Sequence, residues 1–169
     1  MSNDSPLPHG ADISELEQYL PYLLHLVTAS LNSRFLERLR PYGVTVQRWR
    51  VLMVIMNKGP RNISELIKLT LIPQSALSRL IDQMERDSLV RRRISEIDTR
   101  VVQVELTDHG RQIYHTLAPT ASLHAHDMIE GLTLLEIDNL FLTLDKILAN
   151  LGATVVRTPK GQSNAGSGT

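Results

Sequence analysis

The chain has no cysteine among its 169 residues. That absence excludes structural disulfides, thiolate metal sites, a cysteine nucleophile and any peroxide sensor built on a thiol. Aromatic residues are scarce, at 4%, while Leu, Ile, Val and Ala make up most of an apolar fraction of 42%, a mixture that suits packed helices better than a sandwich of strands. No apolar stretch approaches the length needed to span a bilayer, and the polar start MSNDSPLPHGAD lacks the basic and apolar regions of a signal peptide. The expectation is a mainly helical, single-domain, cytoplasmic protein with no membrane partner. Net charge is lacking as well, with 18 Lys and Arg against 18 Asp and Glu.

That neutrality is not uniform. From Arg34 to Arg111 there are 15 basic and 9 acidic residues, net +6, whereas the two flanks together hold 3 basic and 9 acidic, net −6. A basic middle between acidic ends is the pattern of a domain in which one part meets phosphates and the rest does something else.

Punctuation in the chain sets the architecture. Residues 1–12 are rich in Ser, Pro and Gly and read as a flexible arm, and 153–169 as a flexible tail. A first helix from about Ser14 to Arg40 carries Leu16, Leu20, Leu23, Leu24, Val27, Leu31, Phe35 and Leu39 at near-heptad spacing, and Pro21 near its start would bend it. Thr45 opens a second helix that stops at Gly59-Pro60, and Asn62-Ile63-Ser64-Glu65 is a capping box for a short third. Pro73 suits the first residue of a fourth helix, in which Leu77, Leu80, Ile81 and Met84 form one apolar stripe. The β-prone runs Leu89–Ile94 and Val101–Leu106 predict a hairpin. Thr107 caps a fifth helix running to about Glu130, with a kink at Pro119, and a capping box at Thr133–Glu136 starts a sixth that Gly152 closes.

Three helices followed by a two-stranded hairpin describe a winged helix-turn-helix, whose second motif helix enters the major groove of DNA. With 77, 80, 81 and 84 buried, the fourth helix turns Gln74, Ser75, Ser78, Arg79 and Asp82 outward. Gln pairs with adenine, Arg with guanine, and Ser with bases or phosphates. Such residues also make an ordinary solvated face. The hairpin supplies Arg91, Arg92 and Arg93 on its first strand and Arg100 near its tip, where a cation suits a narrow minor groove. Strand alternation points Arg92 opposite to Arg91 and Arg93, so the three cannot all face DNA. Asp98 is placed to orient Arg100.

The run from Ile63 to Gly110 resembles the core of the MarR family, including Asp98-Thr99-Arg100 at the wing tip and Leu106-Thr107-Asp108-His109-Gly110 after it. One departure is Ser88, where the family usually has Gly in the turn before the first wing strand. The resemblance covers about residues 12–152. It implies a single domain over 13–152, with a winged lobe at 45–106 and dimerisation helices at 13–41 and 108–152. It further implies a homodimer on a pseudo-palindromic double-stranded DNA operator, with half-sites about 34–36 Å apart. Members similar to this chain typically repress a nearby gene until a small aromatic or phenolic ligand lowers DNA affinity. In the family that ligand sits where dimerisation helices meet the winged lobe, for which Tyr22, His25, Trp49 and Arg50 are the candidates. Trp49 could equally be core, and Arg50 solvated or phosphate-facing.

His115, His124, His126 and Asp127 cluster on the fifth helix, but the two-residue step from 124 to 126 puts them on different faces, and no metal site is expected. The chain has no nucleotide-binding glycine loop and no nucleophile paired with a base, so neither an enzyme nor a cofactor is expected. The alternative is a winged helix used for protein contact without sequence-specific DNA binding. Such a module has no need of an Asp-oriented arginine at the wing tip.

Overall fold

The computed structural model describes residues 10, 11, 13, 15–95 and 98–153. Most of the expected arm and tail, and Ser14 at the expected start of the first helix, lie outside these residues. Two compact units divide between Met128 and Ile129.

The first unit opens with a 3-10 turn, Leu16–Gln18, and then α1, Leu20–Leu39. Pro21 does not bend α1. It lies in the first turn, where a missing amide costs no hydrogen bond, so the helix begins at the proline instead of crossing it. A second 3-10 turn, Arg40–Tyr42, ends at Gly43 in the left-handed conformation. α2, Val46–Lys58, starts where Thr45 Oγ1 accepts from Arg48 N at 3.2 Å. The capping box at α3, Ile63–Thr70, is complete: Asn62 Oδ1 accepts from Glu65 N, and Glu65 Oε2 from Asn62 N, both at 2.9 Å. α4, Gln74–Arg86, begins one residue later than expected, with Pro73 as its N-cap.

The hairpin pairs β1, Val90–Ile94, with β2, Val102–Leu106, antiparallel, with Val90 opposite Leu106 and Arg92 opposite Val104. Arg61 extends it. Its backbone exchanges hydrogen bonds with Val104 at 3.1 and 2.8 Å, a single bridge on the edge of β2 that does not pair with β1. α5, Asp108–Ile129, is capped by Thr107, whose Oγ1 accepts from Gly110 N at 3.0 Å, and it continues as helix through Pro119.

The main core joins Leu52 and Ile55 of α2, Leu66 of α3, the whole α4 stripe of Leu77, Leu80, Ile81 and Met84, and Val90, Val104 and Leu106 of the hairpin. Each such side chain contributes roughly 1.5–3 kcal/mol by leaving water, so burial of one stripe fixes which face of α4 remains outside. A second cluster packs Phe35, Leu39, Val44, Trp49 and Leu117, joining α1 to α2 and α5. The other unit contains α6, Leu134–Asn150, which begins with a capping box of Thr133 and Glu136. None of the residues of α6 is buried. No helix among the described residues is long and apolar enough to cross a membrane.

Candidate nucleic-acid interface

α4 reaches the surface through a tight turn. Leu71 ends α3 with φ of 57°, Ile72 is buried beneath it, and Pro73 hands the chain to α4. Gln74, Ser75 and Arg79 are exposed and Ser78 is half-buried. The steps 74 to 78 and 75 to 79 are each four residues, so these side chains share one side of the first two turns. Arg79 forms no ion pair among the described residues, leaving its planar fork of donors available for a base edge or a phosphate. Asp82, on the same outward face, is already committed: its Oδ1 lies 2.6 Å from Arg92 Nη2.

That contact belongs to a clamp between the hairpin and α4. Arg92 Nη1 donates to Glu85 Oε2, and the Arg92 amide donates to Glu85 Oε1 at 2.9 Å. The Asp82 hydrogen bond, together with Glu85 and against partial burial, raises the Arg92 guanidinium above its ordinary value. Arg92 thus fixes the first wing strand to the last turns of α4 and faces away from Arg91 and Arg93, as alternation predicts. Arg91 Nε lies 2.6 Å from Glu105 Oε1, and Arg93 Nε 3.4 Å from Glu105 Oε2.

At the tip, Arg100 extends into solvent with its side chain 89% exposed. Asp98 Oδ1 accepts from Arg100 Nε at 3.1 Å and from its backbone N at 3.0 Å, and Asp98 O accepts from Val101 N at 2.9 Å. The Arg100 side chain, and then its amide, hold the Asp98 carboxyl below the usual carboxylate range. Asp98 therefore orients a cation that faces outward.

Glu85, Glu105 and the backbone bridge at Arg61 are not among the residues that the sequence singles out. Once Val90 is set opposite Leu106, Glu105 must face Arg91, so the length of the hairpin turn was the signal that would have found it. Glu85 follows from the helical step that puts residues 82 and 85 on one side. Arg61 has no strand-like run around it and gave no signal.

The four candidate ligand residues do not converge. Trp49 is 6% exposed, stacked on Tyr114 at 5.2 Å and edge-on to Phe35 at 6.1 Å, and it forms one wall of a cavity of about 380 Å³ that His124 also lines. Arg50 lies on the neighbouring side of α2, where its Nη2 donates to Asn32 Oδ1 at 3.0 Å, and it lines a different cavity of about 510 Å³ with Ser33, Leu36 and Gln47. Tyr22 is half-buried and His25 exposed, both nearer the start of α1 and in the wall of neither cavity. Among the described residues no group of three His, Asp or Glu side chains is arranged to hold a metal ion.

Known proteins share this fold. Residues 42–100 match the model of the MarR family. A transcriptional regulator of the MarR family from Silicibacter pomeroyi, solved by crystallography, is 31% identical, with a TM-score of 0.71 over 81% of this chain and 92% of that one. Another from the same organism is 32% identical, with a TM-score of 0.68 over 79% of this chain and 98% of its own. The HTH-type transcriptional repressor IacR of Pseudomonas putida is 27% identical over 142 residues, 84% of this chain and 85% of that protein. With the winged lobe, the exposed α4 face and the aspartate-held wing arginine in place, the chain belongs to the MarR family of DNA-binding transcriptional regulators and is not an enzyme.

Proposed function

We propose that the chain acts as a homodimeric repressor on a pseudo-palindromic operator and is released by a small aromatic or phenolic ligand. Gln74, Ser75, Ser78 and Arg79 read base edges in the major groove, while Arg91, Arg93 and the Asp98-held Arg100 engage phosphates and the adjacent minor groove. One observation carries this reading: burial of the α4 stripe leaves the Gln74-to-Arg79 face outside, and Arg92 ties that helix to the wing, so both elements meet a duplex as one body. Regulators of this family bind DNA as dimers, and some respond to small ligands. The residues at 13–41 and 108–152 supply the dimer helices, and the lobe at 45–106 supplies the DNA face. The repressor assignment takes its support from the likeness to IacR.

A gel shift with the DNA upstream of the chain's own gene tests the reading. The expected result is a shift at low salt that weakens as salt rises, is reversed by a phenolic acid, and is lost with Arg100→Ala. No shift at low salt, or an operator affinity that Arg100→Ala leaves untouched, would overturn it in favour of a winged helix used for protein contact.

A further inference from the structure

Glu105 is a buried carboxylate that the reading above leaves without a role. It sits on β2, and it is 7% exposed. The register places it directly across from Arg91. Its two oxygens face the Nε groups of Arg91 and Arg93 at 2.6 and 3.4 Å, and the Arg91 side chain above it is 62% exposed. A carboxylate under two guanidinium groups offers them an oxygen pair, as a phosphate does, on the same arginines that are assigned to the DNA backbone.

A strand needs no acid here. Glu is a weak strand former, and a carboxylate taken from water is costly unless paired, so its place at 105 rests on the two guanidinium groups beside it. What Glu105 adds is charge. An arginine already neutralised by an internal carboxylate displaces fewer of the cations condensed on DNA, and the fixed negative charge below it opposes an incoming phosphate.

We propose that Glu105 is a positioning residue that serves as an internal counterion for Arg91 and Arg93, and so holds the wing's phosphate affinity below what its arginines would give alone. The proposal rests on the DNA-binding reading, and the experiment separates the two. Fluorescence anisotropy is measured with the full chain and a labelled random-sequence duplex of about 30 base pairs, long enough for two half-sites one turn apart. Salt is varied from about 50 to about 200 mM. Glu105→Gln is expected to bind roughly fivefold tighter at the low end, with a dependence on salt steeper by about one phosphate contact. In a chain carrying Arg91→Gln and Arg93→Gln, the same change is expected to gain about twofold or less, because the arginines through which it acts are gone. Glu105→Thr gives the same readout if circular dichroism shows the Gln variant unfolded. Unchanged or weaker binding by a folded variant overturns the role of Glu105, as does a full gain that persists without the two arginines. Absence of binding by the unaltered chain at low salt overturns the DNA-binding reading itself and this proposal with it.

Discussion

Ser88 and Gly110 both lie where the turn into β1 meets the start of α5, and opposite physics governs them. A Cβ at Gly110 would stand 2.0 Å from Leu89 O, a backbone atom that cannot swing aside, because α5 starts hard against the turn leading into β1. Gly110→Ala is expected to lower stability by about 3 kcal/mol in urea unfolding, as overpacking against backbone does. Ser88 is the reverse case, with φ of 56° where an L side chain pays for a left-handed backbone. Its carbonyl accepts from Thr107 Oγ1, which helps hold that turn. Ser88→Gly keeps the carbonyl and removes the strain, so a gain of about 0.5 kcal/mol is expected after the added chain entropy of glycine, read as a higher melting temperature. His124 shows a third kind of dependence. Its ring stacks on Phe35 at 4.6 Å, and burial first, then Arg38 and Arg34, depress its pKa from the ordinary 6.5, with Asp127 opposing. The unfolded chain therefore takes up a proton that the folded chain resists, so this contribution is whole above pH 6.5 and is lost as pH falls through the lower folded value. Melting temperature is expected to decline between pH 7 and 5, and His124→Phe, which keeps a stacked ring, should flatten part of that decline. An unchanged slope would show that His124 does not titrate across the transition.

Elements built on local signals were legible in the sequence, and those built on distant pairing were not. Thr45, Asn62 and Thr133 cap helices as expected because each cap is settled within four residues. The α4 stripe was readable for the same reason: spacing alone decides which side of a helix is apolar. Pro21 was misread, since the boundary of α1 decided whether the proline lay in its first turn or its interior. The candidate site divides along the same line. The outward side chains of α4 and the Asp98–Arg100 pair depend on neighbours in sequence, whereas Glu105 and Glu85 gain their roles only when strand register and helix packing bring them to Arg91 and Arg92. The scattering of Tyr22, His25, Trp49 and Arg50 is a tertiary outcome, too. The Arg92 clamp carries the prediction at this scale. Its side chain is about one-third exposed, and surface pairs of this kind contribute about 1 kcal/mol or less each. Arg92→Ala is therefore expected to cost little in thermal stability yet weaken operator binding roughly tenfold, because a loosened wing must be ordered as DNA docks. Loss of affinity no larger than that of an arbitrary surface arginine would show that the hairpin needs no tether.

At the scale of the whole molecule, neutrality and apolar exposure describe the same division of labour. The basic middle carries the winged lobe, and the acidic flanks carry helices whose apolar residues face solvent in a single chain. Leu23, Leu24 and Val27 of α1 are exposed, and so are Leu134, Leu135, Leu140, Phe141 and Leu142 of α6. A helix with apolar residues this widely spread has to be covered, and exposed patches of that kind mark association surfaces. Leu135 and Leu142 lie seven residues apart on one side of α6, at 69% and 58% exposure, so charging both leaves the core of the winged lobe intact. Leu135→Asp with Leu142→Asp is expected to yield a monomer in sedimentation velocity at micromolar concentration. The near-ultraviolet signal of Trp49, buried in the other unit, should be preserved. Operator affinity should fall about 100-fold, because a second lobe held at high effective concentration by the first is lost even though every side chain of α4 and the wing remains. A variant that stays dimeric would place the covering contact away from this side of α6. A monomer that binds the operator undiminished would show that one lobe suffices and that the two-fold operator is not required.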